Sequence, residues 1–344
     1  MRYVNIDDVE TGQYLGKSIY SGNGTILLSA GVQLTVFMIN TLNRIGVTML
    51  YVQDEQYDDV ELVEILSEAT KQQIMGEMSD TFDALRSGKE WSPTRISKSV
   101  EQLLEDVLST REVQLQLTEI KTADNAAYVH AMNVCLLSSI IGTNIGLNRN
   151  QLWELGVGAL LHDIGKLGGT DMLDQIPGSK LHHTWRGFEL LKSRRELNLM
   201  IAHIALQHHE RMDGSGQPRG LPAEEIHRNA RIVAIANTYD NLITTKEHGG
   251  SGLLPHEACE AMMALSETAL DRELLVEFNR IVSVYPNGTG VRLSTRESGV
   301  VVRQHRGLPG RPVVRIVNGS GDAMEIKEID LASATTVFIE AVMN

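Results

Sequence analysis

Leu160-Leu161-His162-Asp163-Ile164-Gly165-Lys166 sets an apolar pair ahead of a His-Asp doublet, then a glycine and a lysine. A histidine offers a neutral nitrogen ligand, and an aspartate offers a carboxylate able to bridge two cations. Ligands of this kind side by side suit divalent iron, manganese or zinc. If the segment is helical, Lys166 falls four residues after His162 and three after Asp163, so all three address one site. Gly165 has no side chain, so backbone or ligand can approach it closely. Taken alone, the stretch reads equally well as a buried helix end with a satisfied polar doublet.

The surrounding sequence weighs on the metal side. From about 122 to 285 the pattern is helical, with polar loops and glycine breaks. His130 shares a helical face with Val134, Leu137 and Ile141 and should point inward. His183 opens the run Thr184-Trp185-Arg186-Gly187. Ile201, Ile204, Ala205 and His208 form a stripe, followed at once by His209 and Glu210. Asn237 and Asp240 share a face with Val233. One inward histidine is usually a satisfied core residue. Four histidine-bearing elements aimed at one core make a poor core unless they meet a metal, because buried polar groups require partners.

The expected architecture is mainly α, with a helical bundle core at 121–286. Residues 1–57 read as a small α/β module. Within it, Ser21-Gly22-Asn23-Gly24 signals a hairpin, a helix covers Thr35 to Ile45, and a strand spans Val47 to Val52. Residues 58–120 read as connecting helices. Val100, Leu103, Leu104, Val107 and Leu108 form a stripe there that packs on its own domain or serves a homodimer. Beyond Tyr285-Pro286, glycines punctuate short β-rich runs, and 287–344 reads as a small β-rich domain.

Composition narrows the partners. The 344 residues carry a net charge of −13 with 42% apolar content, so a nucleic-acid polymer is excluded as the main partner. A small phosphorylated ligand, which requires only a local cluster of cations, is not. Two cysteines, Cys135 and Cys259, form no disulfide framework, and a reducing cytoplasm is expected. No run approaches the ~20 apolar residues of a membrane span. The N-terminus lacks the charged lead and apolar core of a signal peptide.

His208-His209-Glu210-Arg211-Met212-Asp213-Gly214-Ser215-Gly216-Gln217-Pro218-Arg219-Gly220-Leu221 resembles the signature of the HD-GYP family, a branch of the HD superfamily of metal-dependent phosphohydrolases. The HDxGK doublet, the HxxxG of His183 and Gly187, and the Tyr239-Asp240 pair complete the resemblance over roughly 122–285. The resemblance implies an all-helical core holding two, sometimes three, iron or manganese ions, and hydrolysis of cyclic di-GMP to pGpG or GMP. The implied ligands are His130, His162, Asp163, His183, His208 and His209, with Asn237 standing where the family has a ligating Asp. Asp163 would bridge two metals, and Lys166 would sit beside the attacked phosphate. Arg211, Asp240 and Lys246 would line the substrate. The loop from Asp213 to Pro218 would contact partners such as GGDEF-type signalling proteins.

This chain departs from the family pattern in several places. Asn237 lacks the charge of Asp, so one metal should be held more weakly. Gln217 replaces the Tyr of the signature. Lys246 stands in place of an arginine and lysine pair, which loses bidentate phosphate geometry. Ala126 replaces the Glu of the three-metal subclass, so two ions at most are expected. Three readings of function remain open: an active cyclic di-GMP phosphodiesterase, an impaired relative that binds a nucleotide or a protein, and an HD hydrolase of another phosphorylated nucleotide.

Overall fold

A helix apolar on every face has nowhere to sit but the interior. Ala126–Asn144 is such a helix: Val129, Met132, Val134, Leu137 and Ile141 are all fully buried. In the computed structural model it runs through the main hydrophobic core. The structure describes residues 1–54, 57, 59–60, 64–110, 115–117, 119–166, 182–244, 252–318 and 325–343. Elements are numbered in chain order. The helices are α1 Val36–Arg44, α2 Glu68–Arg86, α3 Pro93–Ser109, α4 Ala126–Asn144, α5 Arg149–Leu160, α6 His183–Lys192, α7 Leu199–Gln207, α8 Arg228–Thr244, α9 Pro255–Ala264 and α10 Arg272–Ile281.

Local chemistry sets the boundaries of these helices. α5 opens with a capping box, in which Gln151 N donates to Asn148 Oδ1 at 3.0 Å and Asn148 N to Gln151 Oε1 at 2.9 Å. Pro93 starts α3 at a position where its missing N–H costs nothing. The stripe Ile96, Val100, Leu103, Leu104 and Val107 faces the main core, which also takes in Leu155, Leu160, Ile201, Ile204 and Val233. Three glycines let the helices approach closely. A Cβ on Gly142 would come within 2.9 Å of Leu152 and Leu155, one on Gly156 within 2.7 Å of Val100, and one on Gly158 within 2.3 Å of Ile204.

The connecting region is helical only in part. α3 ends at Ser109, and Thr110 is already extended (φ −91°, ψ 102°). Leu115 then pairs with Val282, and Ile120 joins the core of the N-terminal module. In that module, β1 (Arg2–Asn5) pairs antiparallel with β4 (Met49–Val52). β2 (Ile19–Tyr20) pairs with β3 (Ile26–Leu28) across the expected hairpin, where Gly24 takes a φ of +81°. At the other end lie β5 (Gly290–Leu293), β6 (Ser298–Arg303), β7 (Val313–Asn318), β8 (Glu325–Asp330) and β9 (Ile339–Met343). They form one antiparallel sheet in the order β8-β7-β6-β5-β9, packed over Val291, Leu293, Val301, Val314 and Ile316. Both cysteines are free and buried. Among the described residues, α4 is long and apolar enough to cross a membrane, against the expectation of no such run. Yet 72% of its most apolar window is buried inside the fold.

A buried ion cluster joins the N-terminal module to the helices. Lys17 Nζ lies 2.7 Å and Lys71 Nζ 3.0 Å from Glu119 Oε1, and both lysines also pair with Glu64. Burial alone would raise the Glu119 carboxyl, but the charges of Lys17 and Lys71 outweigh it and hold the group below its ordinary value of 4.5. A depressed carboxyl stabilises the fold above its unfolded pKa, and that contribution is lost as pH falls through the folded value. The urea midpoint of the wild type should therefore drop on acidification below about pH 4. Glu119→Gln should be less stable at neutral pH and show a smaller drop; equal pH dependence in the two proteins refutes the assignment. Gly158→Ala forces Ile204 and α7 outward and should cost about 1–3 kcal/mol in urea unfolding.

Candidate metal centre

The His-Asp doublet leaves the helix just before it reaches the site. α5 ends at Leu160, His162 and Asp163 lie in a turn, and Ile164–Lys166 form a single 3₁₀ turn. This departs from the helical spacing expected for the doublet, yet Lys166 still reaches Asp163, with Nζ 2.6 Å from Oδ2. The turn lets His162 use the free carbonyls of the α5 terminus: its Nδ1 donates to Ala159 O at 2.7 Å. A carbonyl only accepts, so Nδ1 carries the proton and Nε2 faces inward as a bare nitrogen.

The same device recurs at the end of α7. His208 caps that helix, and its Nδ1 donates to Ala205 O at 2.9 Å. Burial pushes its imidazole down to about 3, so it is neutral, with Nε2 as the lone-pair atom. His209, next in the chain, is lowered well below 6.5, first by burial and then by its neighbour His208. His130, on α4, is oriented by a carboxylate instead, with Nδ1 2.6 Å from Asp240 Oδ2. Its Nε2 lies 3.3 Å from His162 Nε2. With both Nδ1 atoms protonated, two nitrogen lone pairs confront one another there, an arrangement that a cation relieves.

His183 arrives through close backbone contact. A Cβ on Gly165 would lie 1.9 Å from His183 O and 2.7 Å from Gly187 N. The glycine of the doublet motif and the glycine four residues after His183 thus allow two backbones to touch. The approach predicted at Gly165 is made by backbone.

Asp163 lies between two groups of histidines. Its Oδ2 is 3.4 Å from His162 Nε2 and 3.7 Å from His130 Nε2. Its Oδ1 is 3.4 Å from His183 Nε2 and 3.5 Å from His208 Nε2. Ligand atoms of Asp163, His183, His208 and His209 lie within 4.8 Å of one another, as do those of His130, His162 and Asp163. Asp163 Oδ1 and His208 Nε2 are buried with no hydrogen-bond partner. Buried polar atoms left in this way are costly, and a divalent cation would satisfy both. The donor set fits such a cation: inward imidazole nitrogens, a shared carboxylate, and second partners fixing the tautomers.

The other expected residues fall in different places. Asn237 is buried on α8, and its Oδ1, the atom that would ligate, accepts Asn241 Nδ2 at 2.8 Å. Asp240 does not line an open site as expected. It is fully buried behind His130, its Oδ2 taken by His130 and Lys121 and its Oδ1 by Asn133 at 2.7 Å. Arg211 stands in the exposed loop after the His-His pair, its Nε 3.7 Å from Asp213 Oδ1. That loop is pinned by Glu210, which accepts from Arg219 N and Leu221 N, each at 2.9 Å. Gly216 has no room for a Cβ, which would sit 2.2 Å from Arg211 N. Lys246 lies outside the described residues. Sequence reading missed Lys121 and Asn133. Asn133 carried a signal, being a polar residue one turn after His130 in an otherwise apolar helix.

Comparison with known proteins follows the same lines. The model of the HD domain matches residues 99–274, about half of the chain, and that of a KOW domain associated with HD domain matches 290–344. The chain is 29% identical over 265 residues to the cyclic di-GMP phosphodiesterase PA4108 of Pseudomonas aeruginosa, covering 74% of this chain and 63% of that protein. It is 33% identical over 179 residues to a cyclic di-GMP phosphodiesterase of Thermotoga maritima, covering 49% of this chain and 48% of that protein. The chain thus spans less than two thirds of the first relative and about half of the second. It is also 28% identical over 167 residues to a 3′3′-cGAMP-specific phosphodiesterase of Vibrio cholerae, covering 46% of this chain and 36% of that protein. Among solved structures, Bd1817, an HDG"Y"P protein from Bdellovibrio bacteriovorus, aligns over 80% of this chain and 97% of that one at 18% identity, with a TM-score of 0.48. The matched model covers the histidine cluster and the signature at 208–221, and the chain belongs to the HD domain family.

Proposed function

We propose that this protein is a phosphodiesterase that holds two divalent ions, iron or manganese, and hydrolyses cyclic di-GMP to pGpG or GMP. The observation that carries this reading is the division of Asp163, with one carboxylate oxygen toward His130 and His162 and the other toward His183 and His208. The printed activities of the Pseudomonas and Thermotoga relatives support the substrate. Bound ions supply Lewis acidity toward a phosphate and a nucleophile at neutral pH. The chain's own part is to orient and to neutralise. Asp240, Ala159 O and Ala205 O fix which imidazole nitrogens face inward. The Lys166 ammonium, its side chain 41% exposed, stands at the edge of the cluster. There it can meet the phosphate and balance charge, or give a proton, on the leaving oxygen.

Two observations favour second readings. Asn237 brings no charge, and its carbonyl is already engaged by Asn241, which supports an impaired relative that binds without turnover. The Vibrio relatives named as 3′3′-cGAMP-specific support a different cyclic dinucleotide. A panel of cyclic dinucleotides under the same conditions separates substrate from non-substrate.

Anaerobic incubation with cyclic di-GMP and Mn²⁺ or Fe²⁺ should yield pGpG or GMP on chromatography. His162→Ala should abolish the product while leaving the helical circular dichroism intact; loss of helicity would make the doublet structural. Elemental analysis should find a higher metal-to-protein ratio in Asn237→Asp than in the wild type. Equal, full occupancy in both would sink the account of Asn237.

A further inference from the structure

We infer that Lys121 is a positioning residue of the metal centre, presented to it by the N-terminal module. The inference rests on the metal-centre reading proposed above. Lys121 Nζ lies 2.7 Å from Asp240 Oδ2 and 2.6 Å from Thr244 Oγ1. The same Asp240 oxygen faces His130 Nδ1 at 2.6 Å, while Asn133 Nδ2 donates to the other at 2.7 Å. Asp240 is fully buried, so its charge depends on these donors, and Lys121 is the cation among them. The carboxylate fixes His130 with Nδ1 protonated and Nε2 turned to the cluster. Lys121 therefore acts on a ligand lone pair through one intervening side chain.

The residues around Lys121 explain how it is held. Glu119 pairs with Lys17 at 2.7 Å, and Ile120 packs into the core of the N-terminal module. Ala123 N donates to Ile45 O at 2.8 Å. Asp124 Oδ2 accepts from Gly22 N at 2.6 Å, and Asn125 Nδ2 donates to Tyr20 O at 2.7 Å. A Cβ on Gly22 would lie 2.8 Å from Asp124 O, so this strap, residues 119–125, and the hairpin meet without a gap. On both sides of Lys121 the strap is tied to the hairpin, the helix end or the core of the module. Asp240 and His130 belong to the helical core. The lysine is thus the point at which the position of the module is translated into the orientation of a metal ligand.

The test is a Mn²⁺ titration of the full chain against a competing chelator, with apo stability measured in urea. The proteins are wild type, Lys121→Met, Lys121→Arg, Asp124→Ala and the Lys121→Met/Asp124→Ala double variant. Lys121→Met should weaken Mn²⁺ binding by roughly 10-fold or more, and Lys121→Arg should recover part of the loss. Asp124→Ala, in the exposed strap and remote from the ligands, should weaken binding less but in the same direction. The double variant should bind no more weakly than Lys121→Met alone, because both changes act through one contact. A strap with only a structural role would move the urea midpoint and leave the Mn²⁺ affinity of folded protein unchanged. Unchanged affinity in Lys121→Met, or additive losses in the double variant, overturns the inference. If Lys121→Met does not fold, Asp124→Ala decides, and wild-type affinity there overturns it. A wild type that takes up no Mn²⁺ removes the metal-centre reading and this inference with it; a wild type that binds beside a Lys121→Met that binds equally removes the inference alone.

Discussion

A carboxylate buried among imidazoles that turn lone pairs toward it is the constraint on which this molecule depends. Asp163 carries a negative charge, and each histidine whose Nδ1 proton goes to a backbone carbonyl adds an unprotonated nitrogen facing the same space. Lys166 meets one carboxylate oxygen, but the other oxygen and the facing nitrogens of His130 and His162 are not self-satisfying, since acceptor meets acceptor at 3.3–3.5 Å. Protein interiors avoid such concentrations of unpaired acceptors unless a cation belongs there. The helices are the apparatus that holds four ligand-bearing elements in this otherwise unfavourable state.

That apparatus relies on close approach. α4 is buried over most of its length and gives His130 its mount. α5 and α7 end where their ligands begin, so the unsatisfied carbonyls of each last turn become the partners that select tautomers. Gly158 lets Ile204 close the gap between these two helices. Gly165 and Gly187 do the same for the backbone carrying His183. Small residues and helix ends set positions here that larger side chains would blur.

Much of this was legible in the sequence. The stripes on α3 and α7, the hairpin at Ser21–Gly24 and the glycine-punctuated C-terminal strands follow from local periodicity and turn chemistry. The histidines converged because each sat on an apolar face or at a helix end. What could not be read was which partner each polar group finds across the fold. The resemblance set Asp240 against the substrate, whereas in the fold its carboxylate is taken by His130, Lys121 and Asn133. Lys121 sat in a segment of mixed composition with no periodicity to mark it. The helical expectation also ran past Ser109, where only the tertiary pairing of Leu115 with Val282 shows that the chain had become a strap.

The first strand reaches the loop that leads into β5, where Tyr3 N donates to Gly288 O at 3.2 Å, and the Arg315 guanidinium of β7 pairs with Asp59 at 2.5 Å. Almost the entire chain lies between the first two partners. Contacts of such long sequence separation carry a large loop-closure entropy and form late. During synthesis, the N-terminal module can complete its core once Ile120 has emerged, whereas the loop that receives Tyr3 comes much later. The nascent protein therefore holds its strap in place well before Gly288 can reach the first strand, and vectorial folding favours assembly of the histidine cluster on an already ordered module.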